Sequence, residues 1–377
     1  MEAFTFDTTE KILLAATGTL FIIQALYSFC LSNRIHMRSR AVKRDNVHFS
    51  QELPPVSVII CAREESENLR RNLAAVLEQD YPQFEVIVIN DGDTDESEDY
   101  LTLLEEKYPH LYHSFVPDSS RYISRKKLAA TLGVKASKYD WLVFTEADCR
   151  PQSDQWLRLL ARNFTSRTQV VLGYSGYERG KGWLHKRVAF DNLFSSMRYL
   201  GFALAGSPYM GIGRNLAYRK ELFYREKGFS AHLNLQRGDD DLFINHVATA
   251  ENTRVETDAD AIVRMQPVFR AKDWREEKIY RPPLPRCATL AGRIGNHHPP
   301  GIPCRMDSRA RSRYTAFSLA GGGHRVPYLY IPVYPASHHH QQDCKRFERP
   351  TQILLVTARI RRASTFAVSP LETLLPV

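Results

Sequence analysis

The sequence predicts an α/β fold, and three observations carry that prediction. VSVIICA (56–62), FEVIVI (84–89) and WLVFT (141–145) are short apolar runs rich in β-branched residues, as expected of strands buried on both faces of a parallel sheet. Between the first two, Glu64 to Gln79 places Leu69, Leu73, Val76 and Leu77 at helical spacing, so strand, helix and strand follow in the order of a βαβ unit. The second and third strands run directly into acidic residues, at the carboxyl ends where such sheets bind ligands.

Taken from the start of the chain, Ile12 to Leu31 is a run of twenty residues without a formal charge. As a helix it measures about 30 Å, the thickness of a bilayer core. A buried helix and a signal peptide are the alternatives, but a signal peptide calls for basic residues before the run and a small-residue cleavage site after it. Glu2, Asp7 and Glu10 precede this run, with Lys11 beside it, and Arg34, Arg38, Arg40, Lys43 and Arg44 follow. The basic cluster predicts a single-pass anchor in the cell inner (cytoplasmic) membrane, with residues 1–11 outside and everything after the span on the cytoplasmic side. Residues 32–51 then read as a basic juxtamembrane linker closed by Pro54-Pro55.

The second strand ends at Asn90-Asp91-Gly92-Asp93. There Asp91 can accept hydrogen bonds from a base or ribose, or simply close an Asx-turn. A further helix is expected from about Arg125 to Ser137, with Lys126 and Lys127 near its start. Lysines there oppose the helix dipole, and either a bound diphosphate or plain solvation would favour them. After WLVFT come Glu146, Ala147 and Asp148, hard oxygen ligands suited to Mn²⁺ or Mg²⁺ once a turn after Thr145 brings them together. A helix cap at Asp148 or Asp154 is the rival reading. GIGRNLAYR (211–219) reads as another strand. Asp239, Asp240 and Asp241 then precede the helical pattern LFINHVA, where mutual repulsion raises the pKa of one acid toward that of a general base; a solvated helix cap is the alternative.

These motifs, in this order and spacing, resemble the family 2 inverting glycosyltransferases, specifically the membrane-associated members with a GT-A domain. The resemblance covers roughly residues 52–280 and rests on VSVIICAREESENL, VIVINDGDTDES, RKKLAATLGVKAS, TEADCRP, GDDDLF and the looser FRAKDWREEK. It implies a nucleotide-sugar site at Ala62, Arg63, Glu65, Asp91, Lys127, Glu146, Ala147, Arg270 and Trp274, with Lys278 in the same last segment. It also implies Asp148 and Glu146 as metal ligands and Asp240, flanked by Asp239 and Asp241, as the catalytic base. Glu146 stands where an Asp is commoner in that family. The implied reaction moves a sugar from a UDP- or GDP-linked donor to a saccharide or lipid-linked acceptor. An inactive nucleotide-sugar-binding scaffold and a nucleotidyltransferase are the competing readings.

Charge separates the two ends of the chain. Residues 286–377 hold twelve Arg and one Lys against four acids, so they carry the whole net charge of +9 and residues 1–285 sum to zero. A nucleic-acid binder carries its charge on the motif-bearing part, so that class is excluded as an expectation. Residues 281–377, rich in Arg, Pro and His, are expected to be mostly irregular. Their break in composition is also what out-of-frame translation of a membrane-embedded end would produce. His338-His339-His340 and Cys344 lack a repeated ligand spacing. The six cysteines have no CxxC pair and read as reduced thiols.

Overall fold

The computed structural model describes residues 7–91, 97–116, 124–230, 238–267, 270–272 and 274. Gly92, Asp93, Lys278 and the tail from 281 onward, including its histidine run, lie outside the described residues.

Helix α1 (Thr8–Lys43) begins with a capping box: the Asp7 side chain accepts from Thr8 N and the Glu10 side chain from Asp7 N. Its 36 residues make it about 54 Å long, so the helix runs on through the basic residues expected to form a linker. Ile12, Leu13, Leu20, Phe21, Ile22, Ile23 and Leu26 are exposed. Among the described residues α1 is the one helix long and apolar enough to cross a membrane.

The domain is built on strand β1 (Val56–Ala62), helix α2 (Ser66–Leu77), strand β2 (Phe84–Asn90), helix α3 (Ser97–Lys107), strand β3 (Leu111–Phe115), helix α4 (Arg125–Ala136) and strand β4 (Trp141–Glu146). These four strands are parallel in the order β3-β2-β1-β4, with Val58 beside Val86 and Val143 at the centre. Burial of both faces explains why β1, β2 and β4 read as unbroken apolar runs, whereas the edge strand β3, LYHSF, is half-exposed and gives no such signal. α2 covers one face through Leu69, Leu73, Val76 and Leu77, and α4 covers the other through Ala129, Ala130 and Val134.

Next come β5 (Cys149–Pro151), α5 (Trp156–Ala161), β6 (Val170–Leu172), β7 (Ser175–Tyr177), α6 (Trp183–Leu204), β8 (Leu216–Arg219), α7 (Lys220–Arg225), α8 (Asp241–Val247), β9 (Thr253–Val255) and β10 (Val263–Met265). Strands β8, β6 and β9 extend the first sheet beyond β4, and β8 pairs antiparallel to both β4 and β6. β5, β10 and β7 form a second, three-stranded sheet. The sequence offers no warning of that sheet, since three-residue strands are too short to show a period of two.

The strand expected over 211–219 is confined to Leu216–Arg219. Gly213 and Arg214 are drawn away by contacts to the acidic residues described below. Behind the sheet, Arg162 grips Glu256 with two nitrogens at 2.9 and 2.6 Å, and Asn163 donates to the same carboxylate at 2.7 Å. Ser50 N donates to Arg162 O, which ties the segment after α1 to this buried pair.

Candidate active site

The carboxyl ends of β1, β2 and β4 open onto one cleft, because parallel strands all deliver their last residues to the same edge. Asp91 follows β2 and is buried; its backbone N–H donates to Ala62 O at the end of β1. Arg125, the first residue of α4, ion-pairs with the Asp91 carboxylate. Arg63 is exposed beyond β1, and the Glu65 carboxylate accepts from Asn68 Nδ2 at 2.9 Å. Burial pushes the Glu65 carboxyl up to about 7, and the nearby charges of Asp148 and Glu146 add to the effect.

β4 ends at Glu146, and a turn at Ala147-Asp148 leads into β5. The turn therefore falls later than expected, and less of one is needed, since residues two apart already share a face of a strand. Ala147 is buried and its carbonyl accepts from Asn72 Nδ2 at 2.9 Å, which fixes the turn against α2. One ligand atom each from Glu146, Asp148 and Cys149 lies within 4.8 Å of the others. Cys149 is a buried thiol raised well above its usual range by burial and then by Asp148, so it stays protonated and donates to Asp148 Oδ1 at 3.1 Å. The hard donors of this cluster are thus the two carboxylates.

Their environments differ. Lys126 Nζ donates to Glu146 Oε1 at 2.7 Å, and Arg214 Nε donates to Oε2 at 2.8 Å. Burial works against ionisation of Glu146, but these two cations outweigh it and hold the group well below the carboxylate range. Asp148 is shifted the other way, by burial first and then by the charge of Glu146.

The acid run from the far side of the sheet reaches the same place. Gly238 has φ +100°, a left-handed conformation that a side chain resists, and a Cβ there would also collide with Leu242 Cδ1 at 2.4 Å. The turn this permits delivers Asp239 into the cleft, where its Oδ2 lies 3.4 Å from Lys126 Nζ. Asp240 caps α8 by accepting from Asp241 N at 2.7 Å, and its other oxygen accepts from Gly213 N at 2.7 Å. Asp241 is buried and accepts from Leu242 N at 2.8 Å. Burial and the neighbouring Asp240 raise Asp239 above its usual range despite Lys126. Lys126 in turn is raised well above its ordinary value, because Asp239, Glu146 and Asp240 outweigh the cost of its burial.

The lysine that reaches the cleft is Lys126. Its neighbour Lys127, singled out from the sequence, is fully buried at 0% exposure, with burial lowering its pKa against the pull of the three aspartates. Arg214 lies in the stretch expected as a strand, and its ion pair with Glu146 leaves no signal in the sequence. Arg270 is exposed, and the Trp274 ring lies 5.2 Å from the Arg187 guanidinium on α6. Counting side chains, Asp91, Glu146, Asp148, Asp239, Asp240 and Asp241 outnumber Arg125, Lys126, Lys127 and Arg214, leaving two negative charges in excess. That excess and the carboxylate donors fit a hard divalent cation at Asp148.

Residues 57–226 match the Glycosyl transferase family 2 profile. The chain is 26% identical over 128 residues to the poly-β-1,6-N-acetyl-D-glucosamine synthase of Staphylococcus epidermidis, covering 34% of this chain and 29% of that protein. It is 33% identical over 107 residues to the glycosyltransferase AglE of Haloferax volcanii, covering 28% of this chain and 34% of that one. It therefore spans about a third of the length of these curated relatives. In fold it is similar to a mannosyltransferase from Pyrobaculum calidifontis solved with GDP-Man and Mn²⁺, with TM-score 0.51, 19% identity, and coverage of 73% of this chain and 77% of that one. The matched segment, the curated relatives and the mixed sheet with its acid-lined edge agree: the chain has a GT-A fold and carries, over residues 57–226, a Glycosyl transferase family 2 segment.

Proposed function

We propose that this chain transfers a sugar from a nucleoside-diphosphate donor, UDP- or GDP-linked, to a hydroxyl of a saccharide or lipid-linked acceptor. Transfer inverts the anomeric carbon and uses Mn²⁺ or Mg²⁺. The observation carrying this reading is the meeting of two acid clusters, some ninety residues apart, across one ammonium: Lys126 Nζ contacts Glu146 at 2.7 Å and Asp239 at 3.4 Å.

On this reading Asp91 accepts hydrogen bonds from the base or ribose, with Ala62, Arg63, Glu65 and Ala147 lining the donor site. Asp148 and Glu146 are the residues that would hold the divalent ion, which when bound neutralises charge on the departing diphosphate. Arg214 and Lys126 fix the Glu146 carboxylate between them. The acceptor proton goes to the Asp239–Asp240 pair. Geometry favours Asp239 as its resting place, since both oxygens of Asp240 already accept backbone N–H groups. Asp240, matched to the base by resemblance, then positions Gly213 and α8. For the membrane, α1 crosses the inner membrane with the domain on the cytoplasmic side, as its trailing basic residues favour.

The test is release of nucleoside diphosphate from a panel of nucleotide-sugars with candidate acceptors. Asp148→Asn and Asp239→Asn should each lower turnover by about 10²–10⁴-fold, and chelation should abolish activity that Mn²⁺ or Mg²⁺ restores. Undiminished turnover in both variants would overturn the assignment.

A further inference from the structure

Helix α6 has two faces with different neighbours. His185, Val188, Asn192, Ser196 and Tyr199 are buried against the domain; Asn192 Nδ2 donates to Ser175 O at 2.8 Å and Tyr199 Oη to Gly173 O at 2.9 Å. The opposite face starts at Trp183 and continues through Lys186, Arg187, Phe190 and Leu193, all exposed, with Trp183 at 72% and Phe190 at 67%. Gly201 lies eighteen residues after Trp183, about five turns at 3.6 residues per turn, so it belongs to this same outward stripe. There the stripe is covered by α1: a side chain on Gly201 would stand 3.0 Å from the Leu31 backbone oxygen, and Tyr27 packs on Phe202 at 5.8 Å. Tyr27 and Leu31 are the last part of the uncharged run. The outward face of α6 thus meets the apolar end of α1 at Gly201, and its other end, from Trp183 to Leu193, is exposed among the described residues, with Trp274 beside Arg187.

We propose that the uncovered part of this face, from Trp183 to Leu193, lies on the surface of the membrane that α1 crosses and binds anionic lipid. The inference rests on α1 being membrane-spanning. Two further features select lipid as the occupant. Residues 179–193 carry four basic side chains (Arg179, Lys181, Lys186, Arg187) and one acid (Asp191), matching a negative surface. The basic and apolar groups share the stripe, with the Arg187 guanidinium 5.3 Å from the Trp183 ring, as in helices whose apolar face enters the headgroup boundary. Held there, α6 would be a second contact between domain and bilayer and would restrict how the domain swings about α1.

Tryptophan fluorescence reads this in a Trp274→Phe background, which serves as the wild type throughout, because Trp274 stands beside Arg187 whereas Trp141 and Trp156 are buried in the core. The full chain is reconstituted in phosphatidylcholine vesicles with or without phosphatidylglycerol, using lipids brominated near the headgroup. Quenching is expected in wild type, to rise with phosphatidylglycerol, and to fall about two-fold or more in Trp183→Phe. Lys186→Glu combined with Arg187→Glu should remove the dependence on phosphatidylglycerol. Alkaline-carbonate extraction reports α1 separately. Retention of the protein in the membrane with no difference in quenching between wild type and Trp183→Phe would overturn the proposal while leaving the anchor intact. Release by carbonate with Trp183 still quenched would instead sink the anchor and keep the docking face. A self-associated form in which Trp183 is shielded by a second copy, and not quenched by lipid, would also overturn it.

Discussion

Glu65 carries a carboxyl whose pKa is raised from 4.5 to about 7 by burial first, and it sits within the field of Asp148 and Glu146. Between those two pH values the folded chain holds more protons at this position than the unfolded one, so stability falls as pH rises through the window. Glu65→Gln cannot ionise and escapes that loss. Wild type and variant should therefore melt alike below about pH 4.5, with the variant gaining progressively up to about pH 7 and keeping its advantage above it. A melting-temperature difference that stays constant from pH 4 to pH 8 would count against it. At this scale the sequence revealed residue types better than directions. Asp91, Glu146, Asp148 and the run at 239–241 were visible as acids ending apolar strands or opening a helix. That Lys126 would be the one to contact Glu146 and Asp239 was not, because helix phase is set by Ala129, Ala130, Gly133 and Val134 packing on the sheet. Nor could spacing reveal Arg214 beside Glu146, a contact between residues sixty-eight apart.

Among elements, α4 matters most to the site, since it carries both Arg125 and Lys126. Its distance from the sheet is set by Gly133, where an added Cβ would lie 2.5 Å from Ile59 Cγ2 on β1. Ile59 is fully buried and has little room to yield. Gly133→Ala gains helix propensity of about 1 kcal/mol, while overpacking costs about 1–3 kcal/mol, so a net loss of stability is expected. Adding Ile59→Val removes a methyl group at the collision and should recover part of the loss. Denaturant titration of the single and double variants checks this, and a more stable Gly133→Ala would show that α4 rides higher on the sheet. β1, β2 and β4 were legible because burial on both faces leaves unbroken apolar runs, whereas β3, a half-exposed edge strand, was not. β5, β7 and β10 were not, being three residues each and held by pairing between distant segments rather than by local pattern.

On the scale of the whole molecule, the proposed membrane reading gives α1 two jobs that separate along its length. Residues before Tyr27 present apolar side chains outward, whereas Tyr27, Leu31 and Ile35 join the core that contains Tyr199, Leu200 and Phe202. On that reading the same helix enters a bilayer and fixes the orientation of the domain beneath it, and at Gly201 the two helices leave no room for a side chain against Leu31. Gly201→Leu should split these jobs. The new side chain meets the Leu31 backbone, which cannot rotate away as a flexible side chain would, so α1 must lift from α6. The apolar run is untouched, and membrane retention through alkaline carbonate should persist. Trypsin sites at Arg34, Arg38, Arg40, Lys43 and Arg44 should then open, with cleavage faster by about ten-fold, since local opening governs proteolysis of a docked helix. Gly201→Ala, whose Cβ comes to 3.0 Å of Leu31, should fall between the two. Cleavage at the wild-type rate in Gly201→Leu would mean that α1 is not seated on α6, and the domain would then hang from the membrane by a free helix.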